Sequence, residues 1–207
     1  MLKDLIVNAH KKPHLCPESR FVLQQIEAEW RRTGTIKKYG NTQTNQVIEM
    51  CMERDDLFLV QEPRASQPEI LFSNQRLRKT FGAQKAKFPI SNLFLESACE
   101  TALELIDAAF TLPAIVSLPL VASRRSLRRE SSAELLLLPL SDGPGRAKFL
   151  IGALAHSSNA LRKSTKFGFA KGVSFRCEQL TSPHPDRRQG SGPKLVVDNT
   201  RSKKGPA

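Results

Sequence analysis

The stretch AELLLLPLSDGPGRAKFLIGALAH, residues 133–156, decides the fold. Its two apolar runs are joined by SDGPGR, where Asp142, Gly143 and Gly145 are residue types that tolerate positive backbone angles, so the runs read as an antiparallel hairpin. Side chains alternate across a strand. Leu135 and Leu137 are therefore expected on one face and Leu136, Leu138 and Leu140 on the other, with Phe149 and Ile151 separating likewise from Leu150 and Leu154. Both faces are apolar, and a leucine face left in water would aggregate. One face calls for the domain's own helices, and the other for a further helix or a partner subunit.

Working outward, LPAIVSLPLVAS (112–123) reads as a third strand ahead of the hairpin. Before it, a long helix is expected from Asn92 to about Phe110, with Leu95, Ala98, Cys99, Ala102, Leu105, Ile106 and Ala109 on one face. SNQRLRKTFG (73–82) predicts a shorter helix, capped by Ser73 or Asn74 and stopped by Gly82. Further upstream LFLVQ and EILFS, separated by a loop with Pro63 and Pro68, read as two paired strands. Two strands, then helices, then three strands describe an α+β domain with an antiparallel sheet.

The flanks are different in kind. Residues 17–32 predict a helix with Phe21, Val22, Ile26 and Trp30 as an apolar stripe, and residues 43–54 a second, buried through Val47, Ile48, Met50 and Cys51. After His156, the residues Phe167, Phe169, Val173 and Phe175 alternate well enough for a short strand or a docked extension. Beyond about Leu180 the chain is rich in Pro, Gly, Ser and charge, a composition that predicts disorder. The expected organisation is a flexible N-terminus (1–16), a helical segment (17–54), the α+β domain (55–156), an extension (157–180) and a basic disordered tail (181–207).

A chain of 207 residues with 40% apolar content supports one such core and little more. The net charge of +12 is uneven: residues 1–40 hold 8 Lys+Arg against 4 Asp+Glu, 41–155 hold 13 against 13, and 156–207 hold 11 against 3. The excess lies mostly in the tail, so nucleic acid is expected to be bound only weakly and through it. The first residues lack the continuous apolar core of a signal peptide, and the run from Leu112 to Ala122 is too short and too interrupted by proline to span a bilayer. A cytoplasmic protein that does not enter a membrane is the expectation. Cys16, Cys51, Cys99 and Cys177 form no CxxC pair, and His10, His14 and Cys16 form a lone cluster with no second ligand group, so no metal site is expected.

The order of elements, with SNQRLRKTFG between the second strand and the helices, resembles that of a PAS domain. The Trp-bearing helix ahead of the domain and the ending SAELLLLPLSDGPGRAKFLIGAL are similar to short stand-alone PAS proteins of alphaproteobacteria. The resemblance implies a five-stranded antiparallel sheet with helices on one face, preceded by N-terminal helices, that encloses a small molecule or mediates pairing. It implies no familiar cofactor. The asparagine-cysteine-arginine motif of flavin photosensors is absent, and residues 92–110 contain no histidine of the kind that binds haem.

Candidate residues for an apolar ligand or a partner are Phe94, Cys99, Val116, Leu137, Phe149 and Trp30. The arginines of SRRSLRRESS (Arg124, Arg125, Arg128, Arg129) suit phosphate in principle, yet Glu130 and Glu134 follow and no glycine-rich loop accompanies them, so a solvated connection is expected. No GxSxG, HExxH or Walker motif is present. The expected function is therefore non-enzymatic: a sensory or regulatory protein that binds a partner protein, a second copy of itself or a small apolar ligand. The alternatives are a nucleic-acid-associated protein that uses its basic tail, and an unrecognised enzyme.

Overall fold

The computed structural model describes residues 15–32, 48–62, 67–122, 131–140, 146–157, 165–170 and 174–180. The tail 181–207, the hairpin loop 141–145, the arginine loop 123–130, His10, His14, Val47 and Val173 lie outside the described residues. In chain order the elements are α1 (Pro17–Arg32), α2 (helical at 48–53), β1 (Leu57–Gln61), β2 (Glu69–Ser73), α3 (Gln75–Thr80), β3 (Phe88–Pro89), a 3-10 turn (Ile90–Leu93), α4 (Glu96–Thr111), β4 (Ala114–Ala122), β5 (Ser131–Leu140), β6 (Phe149–His156), β7 (Phe167–Phe169) and β8 (Arg176–Gln179). The strands form one antiparallel sheet in the order β3-β2-β1-β6-β5-β4-β7, with β8 also paired to β4.

The expected five strands are the five long ones, β2-β1-β6-β5-β4, and they make the fold α+β as read from the sequence. Three short strands extend them. β7 pairs with 120–122 of β4 and β8 with 114–117, so the extension after His156 covers the edge of β4 as one interrupted strand.

The alternation of the leucines is realised. Leu135, Leu137, Leu150 and Leu154 join an inner core with α3 and α4, while Leu136, Leu138, Leu140 and Ile151 join an outer core with α1 and α2, against which Phe149 packs. The domain's own helices thus cover one face and the N-terminal helices α1 and α2 the other, so of the two covers expected for the outer face the structure has the one from the same chain.

Two sequence expectations are corrected in detail. The long helix starts at Glu96, because residues 90–93 form the 3-10 turn and Leu95 is the extended cap residue; Asn92 lies inside that turn. On α1 the buried residues are Leu23, Ile26 and Trp30, whereas Phe21 is 58% exposed. At 100° per residue Phe21 sits about 140° around the helix from Ile26, outside the arc that a sheet can cover, and Leu23 only about 60° from it. The short helix behaves as expected: Asn74 Oδ1 accepts from the Leu77 amide at 2.8 Å and Gly82 takes the left-handed φ of 67°. Among the described residues no helix is long and apolar enough to cross a membrane.

Candidate interaction surface

α1 is fixed on the outer sheet face at both ends. Near its start Ser19 Oγ donates to the His156 carbonyl at 3.0 Å, and near its end the buried Trp30 indole donates to the Pro139 carbonyl at 3.2 Å. Both acceptors are backbone carbonyls of the sheet, so the helix is tied to it by polar contacts that a helix packed by apolar contact alone would not need. Leu15, at the head of α1, is also buried in the outer core, although the first sixteen residues were expected to be flexible.

The C-terminal half of α1 carries charge that β8 answers. Arg176 gives paired hydrogen bonds to Glu27 at 2.7 and 2.8 Å, and Arg31 reaches Glu178 at 2.6 Å and Glu27 at 2.9 Å. Arg176 also pairs with Glu178 along β8. The ring of four charges is closed: each acid meets both arginines. The Arg176 hydrogen bonds hold the Glu27 carboxyl below its ordinary range, against some desolvation, and the same contacts raise Arg176. Beside this ring on the outer face Ser117 donates to Glu134 at 2.6 Å.

At the other end of α1 an open groove of about 870 Å³ is lined by Leu15, Cys16, Pro17, Phe21, Gln24 and Ser157, among others. Cys16 Sγ lies 3.0 Å from Ser19 Oγ. The Ser19 hydroxyl has one proton and gives it to His156, so the neutral thiol donates to Ser19; a thiolate would be met by that hydroxyl and by the Ser19 amide, which lowers the Cys16 pKa. Cys51, by contrast, is buried in the outer core, and desolvation pushes its thiol up to about 12. Among the described residues no group of three or more metal-capable side chains is assembled.

The inner face is filled by the chain itself. Phe58, Gly152, Leu137 and Val116 stand in one row across β1, β6, β5 and β4. The ring of Phe58 lies over Gly152, so close that a single added methyl there would collide with it. Phe58, Phe94, Phe110 and Phe167 are all fully buried in this core.

The six candidate residues thus divide. Phe94, Val116 and Leu137 are core residues of the inner face with Cys99 half-buried at its margin, while Trp30 and Phe149 belong to the outer core. They do not form one site. The α1–β8 charge ring was not among the candidates, since its partners are 147 and 149 residues apart and only the base-x-acid pattern of β8 hints at it.

A sequence model described as a PAS domain matches residues 22–155, more than half of the chain. The chain belongs to the PAS domain family. The match runs from within α1 to the end of β6, as the resemblance in the sequence implied, and a PAS fold supports a sensory or regulatory role. Comparison with curated proteins gives no match. Among solved structures this PAS chain is similar to a LOV protein of Rhodobacter sphaeroides, at 17% identity and a TM-score of 0.43 over 58% of this chain and 70% of that one. A variant of RsLOV aligns at 17% identity and a TM-score of 0.45 over 58% of this chain and 72% of that one.

Proposed function

We propose that this PAS protein is a non-enzymatic regulatory module that acts by binding another protein through its outer layer, α1 and the adjoining β8. The observation that carries the reading is the build of that layer. α1 is held by the buried Trp30 bond at its centre of packing and, at its periphery, by the Ser19 bond and a ring of charges, and the peripheral contacts can be exchanged for those of a partner without opening the inner core.

A small-molecule sensor is the less supported version, because Phe58 packs over Gly152 in the middle of the inner face and the candidates Val116 and Leu137 pair with each other beside it. Catalysis has less support still. Cys16 and Ser19 come together with His156, but Ser19 reaches the backbone carbonyl of that histidine, which cannot act as a base toward the thiol.

Native mass spectrometry of protein purified from its own host tests the reading. The expected species are the bare chain and complexes with protein. A small molecule retained at one per chain would overturn it.

A further inference from the structure

β8 is lightly held for a strand of this sheet. Arg176, Cys177 and Gln179 are exposed and Glu178 is half-buried, so little apolar area keeps the strand in place. What keeps it is the ladder to β4, the ion pairs to α1, and two flanking residues, Phe175 against the inner core and Leu180 against the outer. Exposed ion pairs are individually weak, and ladder bonds can be made by any extended chain. The edge that β8 covers is apolar at three of its four residues: with β8 in place Ala114, Ile115 and Val116 are fully buried and Ser117 is 7% exposed.

The geometry points to the edge of β4 at 114–117 as a docking site for an extended segment of a partner protein, with β8 holding the place in cis until displaced. The register states what such a segment must look like. Cys177 and Gln179 stand opposite Val116 and Ala114 on the inner side, while Arg176 and Glu178 stand opposite Ser117 and Ile115 beneath α1. The occupant carries an aromatic residue, a base, any residue, an acid, any residue and an aliphatic residue in succession. Its base meets Glu27 and its acid meets Arg31. The inference deepens the partner-binding reading above and rests on it, naming the edge and the chemistry of the partner.

The test uses the full chain and a fluorescent peptide of the β8 sequence, residues 174–180 with serine in place of Cys177. In the wild type β8 competes with the peptide. In Arg176→Glu/Glu178→Arg the reversed charges oppose Glu27 and Arg31, so the peptide is expected to bind about tenfold or more tightly by anisotropy, because a larger fraction of the edge is free. A peptide with base and acid exchanged should bind that variant about tenfold less well than the native one. Adding Glu27→Arg and Arg31→Glu restores the ring in reverse and should return the native peptide to wild-type affinity or below.

If charge reversal unfolds the chain, Arg176→Gln/Glu178→Gln removes the ring without repulsion and should still bind the native peptide better than the wild type. Equal binding by all variants, or indifference to the order of charges in the peptide, overturns the proposal. Dimers of the variant that the peptide returns to monomers would assign the edge to a second copy, and overturn the partner named here. A retained small molecule in native mass spectra would undo the partner-binding reading while the peptide still docked, so the two failures are distinct.

Discussion

Gly152 illustrates how one missing methyl group shapes the inner core. Gly152→Ala drives Phe58 from its place in a close-packed layer, a change expected to cost about 1–3 kcal/mol and to be read as a lower urea midpoint. Pairing it with Phe58→Leu should recover much of the loss, since the two positions are in contact and their effects cannot add. Trp30→Ala removes a buried ring and leaves the Pro139 carbonyl without its donor, so about 3–5 kcal/mol is expected. Because the contact is within the chain, the melting temperature should fall while the solution mass stays the same; a change from dimer to monomer would show that the stripe pairs subunits instead. The thiols differ in the same local way. Alkylation at mildly alkaline pH should modify Cys16 well before Cys51, one lowered by its donors and the other held near 12 by burial, and mass mapping of the labelled peptides would show the order.

At the level of elements, the α1–β8 ring ties stability to pH. Glu27 is only 15% exposed and its pKa is lowered in the folded state. Its contribution is therefore present above the unfolded carboxylate value and lost as pH falls through the folded one. Glu27→Gln should be less stable than the wild type at neutral pH, and the gap should close as acid protonates Glu27; a gap that persists in acid would mean that the ring is not its source. The same elements show what could be read in advance. The leucine runs of β5 and β6 announce their two faces because period-two alternation depends only on neighbours in sequence, and the Asn74 cap is equally local. The missed start of α4 and the misjudged Phe21 are errors of phase, where apolar residues near a helix end were counted as part of its face. Neither the plug formed by Phe58 nor the ring of charges could be read, because each joins segments that only the sheet order brings together.

For the whole molecule, a sheet buried on both sides leaves the inner core filled with its own phenylalanines. Purified protein is expected to show no visible absorbance, and a Soret band or a flavin released on denaturation would show that those rings move aside for a chromophore. The placement of α1 also has a consequence for birth at the ribosome. It emerges before the strands that it covers: Pro139, His156 and Glu178 follow their partners on it by 109, 137 and 147 residues. At about 5–20 residues per second, the helix waits roughly 7–30 s before the last of these has been made. During that interval Leu23, Ile26 and Trp30 have no sheet to cover, and the nascent chain offers chaperones an amphipathic handle that the finished protein conceals.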